Sequence, residues 1–186
     1  MKNFFLVLVL GLLFGSMAFA DHEGLGIGIV GGGGGGFFRK DSDRERFPIE
    51  KYGKKGYGNL GLSLKIPGIP VFWAFYGIFH THCPGVGLTA DFHILDNNLV
   101  DKQTSNSDGS YNFKLDYYIG IGGFFHMMKR GFFDIGVRMP IGLSWHIAKP
   151  AELFLDVAPC FGLSNWRKNR PFHMGGDVEL GLRFWI

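Results

Sequence analysis

The sequence predicts an all-β protein, an eight-stranded antiparallel up-and-down barrel of the transmembrane kind. Three observations predict it. Apolar and polar residues alternate with period two through most of the chain, which is the pattern of strands rather than helices. Glycine is 30 of 186 residues, about twice ordinary usage, and it recurs on the polar side of that alternation. Charged residues are only 19%, yet after residue 20 no uninterrupted apolar stretch is long enough for a spanning helix. The same arithmetic excludes other classes. A hydrophobic content of 46% is too high for general disorder, and a net charge of +3 is too small to argue for nucleic acid. Two cysteines, Cys83 and Cys160, allow at most one disulfide and no thiolate-rich metal site.

The N-terminus reads as an export signal. Lys2 supplies the positive end, Phe4 to Phe14 is apolar, and Ala18-Phe19-Ala20 fits a small-x-small cleavage site. Residues 1–20 are therefore assigned to a signal peptide and 21–186 to a single barrel domain. After Ala20 the chain carries 18 Lys/Arg against 16 Asp/Glu.

Eight strands follow. The first is Gly24 to Val30, with Leu25, Ile27 and Ile29 on one face. The second is Asn59 to Ile66, where Leu60, Leu62, Leu64 and Ile66 oppose Asn59, Gly61, Ser63 and Lys65. The third, Val71 to Phe79, does not alternate, so its register stays open. The fourth is Gly85 to Leu95. In the fifth, Leu115, Tyr117, Ile119 and Ile121 oppose Lys114, Asp116, Tyr118, Gly120 and Gly122. The sixth runs unbroken from Phe133 to His146, with Asp134, Gly136, Arg138, Pro140 and Gly142 opposite its aliphatic stripe. The seventh sets Leu153, Leu155 and Val157 against Glu152, Phe154 and Asp156. The eighth sets Val178, Leu180, Leu182 and Phe184 against Asp177, Glu179, Gly181 and Arg183.

Alternation suits a soluble barrel or sandwich as well as a membrane barrel; the content of the faces favours the membrane. Glycines 61, 87, 120, 122, 136, 142 and 181 share the charged face. In a narrow lumen they make room for long charged neighbours, whereas on a solvent face they would cost entropy and pack nothing. Stripes of about 9–11 residues suit a tilted spanning strand, and Trp145, Phe184 and Tyr117 are placed to form an interfacial girdle. The lumen then holds Lys65, Lys114, Arg138 and Arg183 with Asp91, Asp116, Asp134, Glu152, Asp156, Asp177 and Glu179. Isolated charges there are costly, so pairing is required. Arg138 is expected between Asp116 and Asp156, and Arg183 against acids of the seventh strand. His93, His126 and His146 join the polar lining.

The segments GLGIGI (24–29), LGLSLKIPGIP (60–70), GLTADFHIL (87–95), RMPIGLSW (138–145), ELFLDVAP (152–159) and LGLRFWI (180–186) resemble a family of small outer-membrane barrel proteins common in spirochaetes and some other Gram-negative-type bacteria. The family is similar to the OmpA transmembrane barrel, and most members have no established biochemical activity. The resemblance implies outer-membrane lipid and the barrel assembly machinery as partners. Such proteins commonly end in an aromatic residue that this machinery reads. Here the chain ends Phe184-Trp185-Ile186, and Phe184 keeps the alternation.

With both termini periplasmic, the first, third, fifth and seventh connections face outward. The first, Gly31 to Gly58, opens with six glycines, read as a flexible loop that lacks the Lys-Ser/Thr of a phosphate loop. Residues 37–57 hold seven Lys/Arg, including Arg39, Lys40, Arg44 and Arg46, against four Asp/Glu. The seventh connection adds Arg167, Lys168 and Arg170 beside Trp166. Together these form a candidate binding surface for an acidic glycan or host surface ligand. The fourth connection, Asp96 to Ser110, is long for a periplasmic turn.

Chemistry-bearing groups are sparse. His80, His82 and Cys83, with His173, do not have the spacing of a closed metal site. Ser144, His146 and Asp156 fall on adjacent lumenal strands, but nothing supplies an oxyanion site. The expected protein is thus non-enzymatic and cofactor-free, with an envelope-structural or surface-interaction role. The alternatives are a narrow ion channel and a lipid-modifying enzyme.

Overall fold

The computed structural model describes residues 24–36, 56–80, 84–104, 111–129, 131–148, 150–165 and 172–186. They form nine strands: β1 (Gly26–Gly36), β2 (Tyr57–Lys65), β3 (Val71–Phe79), β4 (Gly85–Thr104), β5 (Tyr111–Met128), β6 (Phe132–Arg138), β7 (Ile141–Ala148), β8 (Ala151–Ser164) and β9 (Phe172–Trp185). Sequence neighbours pair antiparallel except β6 and β7, which each pair with β5 and β8, and β1 pairs with β9, so the sheet closes. β6 and β7 lie end to end between β5 and β8. The result is a closed up-and-down barrel of eight staves, one of them broken in two. At the closure Leu25 and Ile186 exchange backbone hydrogen bonds of 3.0 and 2.9 Å.

The registers set the barrel's size. Stepping between partners once around the wall leads from Gly26 through Lys65, Phe72, Asp91, Gly122, Arg138, Cys160 and Gly175 to Gly36, ten residues further along the same strand. For eight staves this stagger implies a tilt of about 40° and a radius of about 8 Å. Each residue then climbs roughly 2.5 Å along the axis, so ten residues of wall stand about 25 Å tall.

Two faces result. Every Asp, Glu, Lys and Arg described on β2 and β6–β9 is buried in the lumen, as are Asp91 and Asp116. The outside is aliphatic and aromatic on every stave; Ile29, Leu62, Phe75, Val86, Ile141, Leu155 and Leu180 are each about half exposed. Tyr117, Trp145 and Phe184 fall at one level near the chain ends. Phe79, Phe133 and Phe172 ring the opposite end.

Four expectations are corrected. Gly31 to Gly36 are not a loop but the second half of β1, laddered to β9 and partly to β2. A Cβ at Gly32 would collide with the Val178 carbonyl, and one at Gly34 with Asp177 and Tyr57, so the close approach itself requires glycine. Most of the fourth connection is also strand: β4 and β5 run on as a two-stranded ribbon past the start of β3, with register shifts at His93/Leu95 and Asn98/Val100. The sixth strand breaks at Met139-Pro140 because proline has no N–H for the ladder. Finally, the lumenal glycines chiefly accommodate rings. Gly142 lies opposite Tyr118, Gly181 opposite Phe154, Gly136 opposite Phe124, and Gly61 and Gly87 on either side of Tyr76. A Cβ at any of them would strike that ring or its side chain; Gly122 and Gly34 do this for charges, those of Asp91 and Asp177.

The third strand's register is now fixed. Ala74, Tyr76 and Ile78 face inward and Phe75 and Phe79 outward, so both faces are apolar and hydropathy could not separate them.

Candidate functional site: the charged layers of the lumen

The lumen is built in layers. In the middle, Arg138 is fully buried and faces three carboxylates. Its Nη2 donates to Asp156 Oδ1 at 3.3 Å and to Glu179 Oε2 at 3.0 Å, and its Nε lies 3.4 Å from Asp91 Oδ1. The Tyr118 hydroxyl donates to Asp156 Oδ2 at 3.1 Å. The expected Arg138–Asp116 pairing is not made. Stagger places Arg138 beside Gly122 and Cys160, and its long side chain crosses the lumen to β4 and β9 instead. Asp116 pairs with Lys114 at 3.3 Å and His146 at 3.4 Å, nearer the chain ends.

Below this layer, Arg183 Nη1 donates to both oxygens of Glu152 at 3.2 Å. Its Nε and Nη2 donate to Ser63 Oγ at 3.3 and 2.9 Å. Its guanidinium lies 4.7 Å from the Phe72 ring and 4.5 Å from that of Phe154, so the charge is held between aromatic faces as well as against a carboxylate. Glu152 also accepts from Ser144 Oγ and Trp185 Nε1, each at 2.7 Å. Phe72, His93 and Tyr118 stack in series, with successive centroids 4.1 Å apart. Lys65 Nζ donates to the Ile66 and Ile69 carbonyls at 3.2 and 2.6 Å, fastening the turn after β2.

Above it, Asp177 accepts from Tyr57 OH at 2.6 Å and from Cys160 Sγ at 3.3 Å. Asp134 pairs with His173 at 2.6 Å, and Tyr76 OH is hydrogen-bonded to His126 Nε2 at 2.8 Å. Cys160 is a free, buried thiol.

Chemically this is a set of closed pairs more than a reactive constellation. Ser144, His146 and Asp156 take different partners: Glu152, Asp116, and Arg138 with Tyr118. Among the described residues no group of three or more His, Cys, Asp or Glu is arranged to hold a metal ion. The basic residues Arg39, Lys40, Arg44 and Arg46, and Trp166, Arg167, Lys168 and Arg170, lie outside the described residues, as do His82 and Cys83. Sequence reasoning missed Tyr57 and Tyr76 as lumenal partners. Tyr57 precedes the first residue assigned to the second strand, and Tyr76 sits where both faces are apolar.

No family model, no curated protein and no solved structure matches this chain.

Proposed function

We propose that the protein is a non-enzymatic barrel of the bacterial outer membrane, exported by residues 1–20, with its aliphatic wall in lipid and an envelope-structural role. The observation that carries this reading is the inversion of faces. A soluble barrel sends its apolar side chains inward and its charges out. Here the ionised groups are enclosed, and an apolar belt runs around all eight staves. At a side-chain radius of roughly 11 Å and a height of about 25 Å, that belt covers on the order of 1,700 Å², several times the largest apolar patch of an ordinary soluble monomer. The basic segments at 37–55 and 166–171 lie outside the described residues; the strand ends that flank them, Gly36, Tyr57, Ser164 and Phe172, stand at the end opposite the chain termini, which under this reading is the cell exterior. There they offer a surface to acidic glycans or a host ligand. The lumenal layers favour a structural role over conduction, because guanidinium–carboxylate pairs and stacked rings occupy the bore.

The test is membrane fractionation combined with electrophoresis of heated and unheated detergent samples. The proposal requires the mature chain in the outer-membrane fraction, with a heat-dependent mobility shift. A chain recovered detergent-free and monodisperse from the soluble fraction would overturn it.

A further inference from the structure

The lumenal side of β1 carries a single side chain. Its inward positions are Gly26, Gly28, Val30, Gly32, Gly34 and Gly36. Val30 is 2% exposed and lies opposite Gly61 on β2 and Gly181 on β9. Those two glycines leave room for the rings of Tyr76 and Phe154, and Val30 belongs to one buried apolar cluster with both rings. The neighbours of β1 are fastened to each other across it. Ser63 and Arg183 both lie opposite Gly28, and Arg183 Nη2 donates to Ser63 Oγ at 2.9 Å. Tyr57 and Asp177 both lie opposite Gly34, and the Tyr57 hydroxyl donates to Asp177 Oδ1 at 2.6 Å. β1 is thus a stave seated between two strands that also hold each other.

We infer that Val30 is the register pin of β1, the side chain that fixes where this strand sits between β2 and β9. A one-residue slide would turn Leu25, Ile27 and Ile29 into the lumen, so hydropathy forbids it. A two-residue slide keeps those side chains outside. Val30 apart, it also puts glycine where glycine was from position 26 to position 34, so the hydropathy pattern does not oppose it. Glycine-rich strands specify register weakly for this reason. Val30 does oppose it. Moved by two residues, it would take the place of Gly28 or Gly32, where a Cβ collides with the Leu182 or the Val178 carbonyl. Leaving its slot would also give up the burial of a valine side chain, a factor of roughly ten or more between registers. The inference rests on lumenal geometry and stands apart from the membrane assignment.

The test traps the register as a disulfide in the folded mature chain in detergent micelles, in a Cys83→Ser/Cys160→Ser background. Ile29→Cys is combined with Leu182→Cys, its partner in the register described, or with Leu180→Cys or Phe184→Cys, its partners after a two-residue slide in either direction. Directly opposed side chains come within disulfide reach and diagonal ones do not. The parent should trap the Ile29/Leu182 pair alone. Val30→Gly should add the slipped pairs. Val30→Gly/Gly32→Val moves the pin by two residues and should shift the product to the Ile29/Phe184 pair, because position 32 then takes the slot between Gly61 and Gly181. Slipped products in the parent overturn the inference. So does the Ile29/Leu182 pair as the sole product of Val30→Gly, or its persistence when the pin is moved. Failure of the moved-pin variant to fold leaves Val30→Gly decisive.

Discussion

Removing the charge of Arg138 should destabilise the barrel far more than removing the charge of any one carboxylate it faces. The guanidinium meets Asp156, Glu179 and Asp91 at 3.3, 3.0 and 3.4 Å, and it is fully buried. With charge centres roughly 4 Å apart and an effective dielectric near 20, each attraction is about 4 kcal/mol before desolvation. Desolvation of the carboxylates offsets much of that. In Arg138→Met the carboxylates stay buried without a counter-charge, and breaking such an arrangement costs about 3–5 kcal/mol. That is a factor of more than 100 in the folding constant. Asp91→Asn is different. Three acids share one cation, so removing one negative charge relieves repulsion while Arg138 keeps two partners. The expected change is within about 1 kcal/mol and can be a gain in stability. Adding Asp91→Asn and Glu179→Gln to Arg138→Met should recover much of the loss. The assay is urea unfolding in lipid vesicles, read by the mobility difference between folded and unfolded chains. Equal losses in Arg138→Met and Asp91→Asn, or no loss in Arg138→Met, would refute the reasoning.

Two further outcomes follow from the wall. Gly142→Val and Gly181→Val push side-chain atoms into the rings of Tyr118 and Phe154 and should each cost about 1–3 kcal/mol in the same assay. Outward-facing Gly77→Ala and Gly123→Ala meet only ordinary contacts, at 3.7 and 3.6 Å, and should stay within about 0.5 kcal/mol of the parent. At the Pro140 break the paired registers lapse on both sides, with Gly120 N to Pro140 O at 2.8 Å and Met139 N to Pro159 O at 3.0 Å bridging it. Backbone amides at 120–122 should therefore exchange with deuterium before those of the β8–β9 ladder; slower exchange there would show the wall to be uniform.

The faces of the barrel were legible because hydropathy alternates wherever lipid-type and lumen-type side chains alternate, as in β8 from Glu152 to Val157. The glycine run of β1 was not legible, since glycine has no side chain to mark a face. What makes it a strand is the pair of strands beside it. The β4–β5 ribbon was hidden for a related reason. Its residues Asp96 to Gln103 are mostly polar on both sides, and only pairing with β5 makes them extended. The partners of Arg138 depend on stagger, a property of closure around all eight staves. Sequence order names Asp116 as a neighbour, but the ten-residue shear moves it well below the guanidinium and brings Asp91 and Glu179 within reach.

The central claim concerns what touches the outside of the wall. Ile141 and Val157 are register partners near mid-height, each about half exposed. A nitroxide attached at Ile141→Cys or Val157→Cys, in a Cys83→Ser/Cys160→Ser background reconstituted in lipid vesicles, reports that medium through its collision rates with oxygen and with a water-soluble nickel chelate. High oxygen and low nickel accessibility at both sites is the result predicted for side chains in hydrocarbon; high nickel accessibility there would contradict it.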